Sequence, residues 1–134
     1  ILFHQKMEEA CLPYDQTYYP KFKKRCDEYF YLPHRNEPRG EGGIFFDYMN
    51  TGDWEKDFDF VKDVGRKTLE AITTIVNKHK ELSWTAKEKD EQLLKRGRYV
   101  EFNLLWDRGT LFGIKTGGST EAILMSMPPT AKWV

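Results

Sequence analysis

The chain has 134 residues, and its 21 basic and 21 acidic side chains give a formal net charge of zero. This balance argues against a partner that is held mainly through nucleic-acid phosphates. Forty per cent of the residues are apolar and 15% are aromatic, which suffices for a hydrophobic core and excludes a disordered chain. No apolar run approaches the ~20 residues of a membrane-spanning helix, and the two cysteines indicate reduced thiols rather than a disulfide framework.

The first half of the chain is predicted to be mostly helical. Residues 1–12 have the pattern of the end of a helix, and a second helix follows Pro20, with apolar residues at three- to four-residue spacing as far as the next proline. After a loop rich in glycine, proline and charge, residues 43–49 are predicted to form a strand. A long helix then begins near Asp53 and extends to about Lys80, with acidic residues in its first turn.

This long helix is expected to bury one apolar stripe at helical spacing, formed by Trp54, Phe58, Val61, Ile72 and Ile75. The tryptophans in general are expected in the core, because their spacing favours packing over a surface on which bases stack. They are Trp54, Trp84, Trp106 and Trp133.

The second half is predicted to mix helix and strand. A Thr-x-x-Glu capping-box pattern at Thr85 predicts a helix over residues 86–96 that Gly97 ends. Strands are predicted from Tyr99 and over about 122–127, on either side of a glycine-rich turn. Without repeats or low-complexity tracts, the pattern indicates one α+β domain, a sheet with flanking helices.

Asp107 and Arg108 stand where the predicted strand ends, and glycines follow at 109, 113, 117 and 118. A core strand has no structural need for a carboxylate beside a guanidinium. The carboxylate can accept a proton, and the guanidinium can bind another carboxylate through two hydrogen bonds. The alternative is a surface turn with an incidental ion pair.

The loop at 34–43 places Arg35 and Arg39 on either side of a proline, with three glycines following. Such a loop is either a solvated basic surface or an anion site that combines guanidinium and backbone N–H donors. The two histidines His4 and His34, thirty residues apart, have no metal-ligand spacing of their own.

The segments HRNEPRG and GGIFFD within residues 34–47, and YVEFNLLWDRGT at 99–110, resemble the oxygen-dependent coproporphyrinogen III oxidase family of haem biosynthesis. They occur in that family's order. The resemblance covers the whole chain but only about the C-terminal half of the family's domain. Residues 1–134 are therefore expected to be part of a single domain, with the family's proposed general-acid histidine upstream of Ile1. The fold implied is α+β, an antiparallel β-sheet with helices on both faces.

The resemblance implies aerobic oxidative decarboxylation of coproporphyrinogen III to protoporphyrinogen IX, with O2 as co-substrate and no required cofactor. It places Asp107 at the pyrrole N–H groups and Arg108 near propionate charge. Arg39 and the turn Gly117-Gly118-Ser119 match positions that bind substrate.

Some bacterial members of the family have been assigned a divalent metal bound by four histidines. His4 and His34 match two of those positions, so they are candidate metal ligands, while other members are described as needing no metal. The resemblance also implies a cytoplasmic homodimer joined through about Tyr99–Trp133, with no nucleic-acid partner. The predicted strands there carry apolar residues on both faces, which either a second subunit or the upstream half of the domain would cover.

Three residues depart from the family's usual pattern. Glu41 replaces a common Ile, Tyr48 a common Asp, and Ser119 a common Arg. These departures favour a second hypothesis, a non-catalytic homologue that binds tetrapyrroles or anions and keeps the fold.

Overall fold

The structure is a computed structural model that describes residues 2–133. Ile1, part of the first predicted helix, lies outside the described residues. In chain order the elements are α1 (Leu2–Cys11), α2 (Tyr18–Tyr29), β1 (Tyr31–Leu32), β2 (Glu37–Pro38), α3 (Trp54–His79), α4 (Ala86–Leu105), α5 (Arg108–Lys115) and α6 (Thr120–Leu124). The two strands pair antiparallel, with Tyr31 opposite Pro38 and Leu32 opposite Glu37. The predicted α+β class is confirmed, with helix as the dominant structure.

The chain divides into two compact units, which are described separately below. One consists of Ile1–Tyr29 with Gly42–Ser83, and the other of Phe30–Glu41 with Trp84–Val134. Among residues 2–133 no helix is both long and apolar enough to cross a membrane.

The first unit is built on an aromatic core between α1, α2 and α3. Phe60 is fully buried, with the rings of Tyr14 and Tyr18 each 5.3 Å away in edge-to-face geometry. Phe46 completes the cluster, with its ring centroid 5.0 Å from that of Phe60. Edge-to-face ring pairs stabilise a core beyond the area they bury.

The expected buried stripe of α3 is wrong. Trp54, Phe58, Val61 and Ile72 are 72%, 45%, 51% and 49% exposed, and Ile75 is half-buried. The face that packs on α1 instead carries the fully buried Phe60 and Ala71. Apolar residues recur at helical spacing on both faces of α3, so periodicity alone could not tell which face the core covers. The four tryptophans are also exposed, by 44–72%, contrary to the expectation of core packing.

Two predicted helix starts are confirmed by their caps. Asp53 caps α3 by accepting a hydrogen bond from the backbone N–H of Lys56 at 3.1 Å. Thr85 and Glu88 form the capping box of α4, each side chain accepting from the other residue's backbone N–H. Such caps satisfy N–H groups that the helix itself leaves unpaired.

The three predicted strands are wrong. Residues 43–49 have no regular structure, because Phe45 and Phe46 pack their rings on Tyr29 and Phe22 of α2 rather than joining a sheet. The stretch from Tyr99 continues α4, and residues 120–124 form α6. The second predicted helix also ends early: α2 stops at Tyr29, and Leu32 lies in β1.

Gly97 does not end α4, because it has a different role inside the helix. It is buried, and a Cβ atom built there would collide with the backbone carbonyl of Lys132. The backbone N–H of Lys132 donates to the carbonyl of Leu93 at 3.0 Å, so the C-terminal segment lies directly on the helix at this point. Glycine permits this close backbone approach.

Gly97→Ala should therefore displace the segment around Lys132 and destabilise the fold by roughly 1–3 kcal/mol, as overpacking does. Gly65→Ala is the matched control, since Gly65 lies in α3 with open space where its Cβ would be. Helix propensity predicts that this control stabilises by about 0.5–1 kcal/mol. Urea unfolding of both variants measures the difference, and an equal effect at the two sites would contradict this account of Gly97.

Candidate functional site

The second unit contains every residue proposed to bind substrate or act in catalysis. Its β1–β2 hairpin is fastened to α4 by a bidentate ion pair. The Nε and Nη2 atoms of Arg35 donate to the two carboxylate oxygens of Glu101 at 2.6 and 2.5 Å. Two parallel bonds fix the orientation of the hairpin as well as its distance from the helix. A second pair, between Glu37 and Arg98, anchors the returning strand.

Glu101 is a strongly perturbed carboxylate. Its side chain is only 11% exposed, and the hydrogen bonds from Arg35 lower its pKa from 4.5 to about 2. His34 adds a further hydrogen bond that lowers the pKa, while burial opposes both by disfavouring the charge. The carboxylate is therefore held ionised by its two partners from the hairpin.

Both ring nitrogens of His34 have partners. The indole N–H of Trp106 donates to Nδ1 at 3.3 Å, so the proton of a neutral ring lies on Nε2, which donates to Glu101 at 2.9 Å. The two rings also stack, with centroids 6.1 Å apart. This arrangement makes His34 a structural link between the hairpin and the end of α4.

His4, the other candidate metal ligand, belongs to the first unit, where its Nδ1 lies 3.3 Å from the hydroxyl of Tyr19. Within residues 2–133, no three side chains among His, Cys, Asp and Glu are grouped so that they could hold a metal ion. The described residues thus do not by themselves fit a metal centre.

Arg39 lies in a cage of aromatic rings. Its guanidinium carbon is 4.0 Å from the ring centroid of Phe30, 4.9 Å from that of Tyr99 and 4.8 Å from that of Phe102. Its Nη1 donates to Oδ1 of Asn103 at 3.3 Å. Because the ring faces stabilise its positive charge, the half-buried Arg39 is a candidate for binding an anion.

Asp107 lies at the junction of two helices and not at a strand end. Its backbone N–H donates to the carbonyl of Phe102 as α4 finishes, and its carboxylate caps α5 by accepting from the N–H of Thr110 at 2.7 Å. A helix N-terminus stabilises a negative charge at this place. Arg108 is the first residue of α5 and is exposed. Phe102 therefore contacts both site residues: its backbone carbonyl accepts a hydrogen bond from Asp107, and its ring lies against the guanidinium of Arg39.

The turn Gly117-Gly118-Ser119 joins α5 to α6. Gly117 has a φ of +72°, and the N–H groups of Gly117 and Gly118 donate to the carbonyls of Ile114 and Gly113. This is a Schellman motif, which needs a left-handed residue directly after the C-cap residue, here Thr116. Ser119 then caps α6 by accepting from the N–H of Ala122 at 3.4 Å.

Sequence reasoning missed four residues of this arrangement. They are Arg98, Glu101, Asn103 and Trp106. Arg98 precedes the stretch predicted to be a strand, and the other three lie within it. In the structure Arg98, Glu101 and Asn103 lie in α4, which receives the hairpin, and Trp106 is its C-cap. For Arg98 and Glu101 the sequence does carry a signal: Arg35 and Glu37 of the hairpin require partners of opposite charge, and Arg98 and Glu101 are spaced three residues apart, so that both lie on one face of a helix.

Comparison with known proteins identifies the family of the chain. The family model described as coproporphyrinogen III oxidase matches residues 1–134. The chain is 60% identical over 131 residues to an oxygen-dependent coproporphyrinogen-III oxidase of Rickettsia bellii (strain OSU 85-389), covering 98% of the chain and 47% of that protein. It is 59% identical over 133 residues to the protein of that name from Rickettsia conorii, covering 99% of the chain and 48% of that protein.

These similarities show to which class of known proteins this α+β chain, with its caged arginine and helix-capping aspartate, belongs. The chain belongs to the coproporphyrinogen III oxidase family. It spans about half the length of the curated relatives that it matches.

Glu101→Gln should change how stability depends on pH. The folded pKa of about 2 lies below the ordinary 4.5, so the ionised carboxylate stabilises the fold fully above about pH 5 and loses this effect as the pH falls towards 2. The variant should lower the free energy of unfolding near pH 7 by on the order of 1–2 kcal/mol, with solvent screening taken into account. Thermal unfolding from pH 2 to pH 7 should show the two proteins converging in acid. A difference that stays constant with pH would contradict the ion-pair account.

Proposed function

We propose that the protein containing this chain catalyses the oxygen-dependent conversion of coproporphyrinogen III to protoporphyrinogen IX. The observation that carries the proposal is the identity of 59–60% to oxygen-dependent coproporphyrinogen-III oxidases along nearly the whole chain. Both units of the chain would then belong to one oxidase domain, together with a segment that corresponds to the remaining length of the relatives.

The reaction converts two propionate side chains to vinyl groups. Each propionate loses CO2 from its carboxylate and one hydrogen from the carbon next to the pyrrole, and the two electrons released pass to O2. With one proton from solvent, O2 becomes hydrogen peroxide, so atoms and charge balance for each vinyl group formed. The porphyrinogen is electron-rich and can react with O2 once a pyrrole N–H proton is held or removed.

Asp107 is the residue proposed to engage the pyrrole N–H groups. Within residues 2–133 the cap on Thr110 uses Oδ2 of the carboxylate, so Oδ1 can accept a hydrogen bond or a proton from the substrate. Arg108, the next residue in the sequence, would balance the negative charge of a substrate propionate.

Arg39 and the turn after α5 are proposed to bind the substrate. The aromatic cage around Arg39 offers a cation to a propionate and ring faces to the macrocycle. The N–H groups of Gly117 and Gly118 are already used in the turn, so these glycines would contribute close approach rather than donors. Ser119 would add a hydroxyl in place of the family's usual arginine.

We propose that the reaction needs no bound metal or organic cofactor. A metal on Nε2 of His34 would have to displace Glu101, its partner at 2.9 Å. We also propose a cytoplasmic location, because Cys11 and Cys26 are buried thiols, as suits a reducing compartment.

We further propose a homodimer through the segment Tyr99–Trp133. Although the predicted strands are helices, the segment still exposes large apolar side chains, of which Phe112 is 70% and Met125 83% exposed. Others are Leu105, Trp106, Ile114, Leu124 and Trp133. Exposed aromatic residues and methionines of this kind are enriched at the centres of subunit interfaces.

The catalytic proposal is tested in the protein at the full length of its relatives. The wild type should form protoporphyrinogen from coproporphyrinogen under air, stop under argon and keep its activity in EDTA.

Asp107→Asn should lower kcat by at least ~10²-fold yet leave the melting temperature unchanged, because Asn caps a helix as well as Asp does. Normal turnover by this variant would exclude Asp107 from catalysis. Binding without any turnover by the wild type would favour the non-catalytic homologue, and a loss in EDTA that Mn2+ restores would make His4 and His34 ligands.

The dimer is tested by placing a charge in the exposed apolar segment. Phe112→Glu should shift the full-length protein from dimer to monomer at micromolar concentration in sedimentation velocity, because an unpaired charge in an interface core is costly. Leu82→Glu is the control, since Leu82 is 60% exposed and lies outside the segment. A wild type that sediments as a monomer would refute the proposal.

A further inference from the structure

Asn103 is a buried polar side chain whose hydrogen bonding is incomplete. It is 7% exposed, and its Oδ1 accepts the bond from Nη1 of Arg39. Its Nδ2 is fully buried and has no acceptor among residues 2–133. The amide cannot be turned round to repair this, because a guanidinium only donates and the oxygen must face Arg39.

This arrangement is unfavourable for folding alone. A buried donor without an acceptor destabilises a protein by roughly 1–3 kcal/mol, and an apolar side chain of similar size would avoid that loss. Residues that weaken a fold in this way are expected at functional sites. The function of Asn103 must then involve the one partner that it does bind.

The hydrogen bond supplies Arg39 with something that the aromatic cage cannot. Attraction between a cation and ring faces holds the guanidinium in place but leaves it free to rotate about the end of its side chain. Bidentate binding of a carboxylate requires one particular orientation of the guanidinium plane. The directed acceptor Oδ1 of Asn103, at 3.3 Å from Nη1, restricts this rotation.

We infer that Asn103 is a positioning residue that holds the guanidinium of Arg39 in the orientation needed to grip a carboxylate of the substrate. The inference rests on the proposed function of Arg39 and deepens it. It also accounts for an amide rather than an acid at this position. A carboxylate would accept the same bond, but its charge would weaken the attraction of Arg39 for a substrate carboxylate.

The test measures binding and stability together in the full-length protein. The probe is coproporphyrin III, a fluorescent tetracarboxylate, with its tetramethyl ester as the uncharged comparison. Asn103→Leu should weaken coproporphyrin binding about tenfold, the scale of one lost hydrogen bond to a charged group. It should leave ester binding unchanged, and its melting temperature should equal or exceed that of the wild type.

A double-mutant cycle shows whether the effect passes through Arg39. In an Arg39→Met background, which keeps the cage filled but removes the guanidinium, Asn103→Leu should cause no further loss of coproporphyrin binding. Val100→Ala is the control for general destabilisation, since Val100 is half-buried in the same helix and has no place in the site. It should lower the melting temperature without changing the Kd.

The outcomes separate the inference from the function on which it rests. If Asn103→Leu lowers the melting temperature and leaves coproporphyrin binding unchanged, Asn103 is merely structural and the inference is wrong while the proposed function stands. An additive loss in the Arg39→Met background also overturns the inference. If the wild type neither binds coproporphyrin nor converts coproporphyrinogen, the proposed function itself fails.

Discussion

The bidentate bond between Arg35 and Glu101 is the contact on which the second unit depends. It fixes a hairpin whose strands are only two residues each, too short to be stable through their own backbone bonds. With the hairpin held on α4, Arg39 enters the cage formed by Phe30, Tyr99 and Phe102. The ionised Glu101 therefore has a structural role, because it fixes the place of Arg39, the residue proposed to bind a substrate carboxylate.

Two residues of the proposed site also cap helices. Asp107 caps α5 and Ser119 caps α6, so each has a structural task besides any contact with substrate. This double use explains why alanine substitutions there would be hard to interpret. Removing Asp107 by alanine abolishes a cap and a carboxylate together, whereas Asn removes only the charge. The stability of the helix junction and the chemistry at it are separable only through such substitutions.

The capping signals in the sequence predicted helix starts correctly, whereas patterns whose outcome depends on distant residues did not predict the structure. The caps at Asp53 and Thr85 are set by neighbouring residues, and both predicted helix starts are confirmed. The prediction that Gly97 ends a helix was wrong, because glycine is needed there for the close approach of the Lys132 backbone, 35 positions later. Asn103 could not be identified for the same reason: its importance comes from Arg39, which only the fold brings against it. The residues of the proposed site came from family resemblance, and their geometry from α4.

The departures at Glu41, Tyr48 and Ser119 bear differently on the choice between an enzyme and a binding homologue. Ser119 has a local reason, because its hydroxyl caps α6 and an arginine is not a capping residue. Its presence is thus explained without any loss of activity. Tyr48 has a φ of 55° and is 97% exposed, a left-handed conformation that is strained for an aromatic residue and that no packing rewards. Ser119 therefore weakens the case for a non-catalytic homologue, whereas nothing in the structure explains the departures at Glu41 and Tyr48.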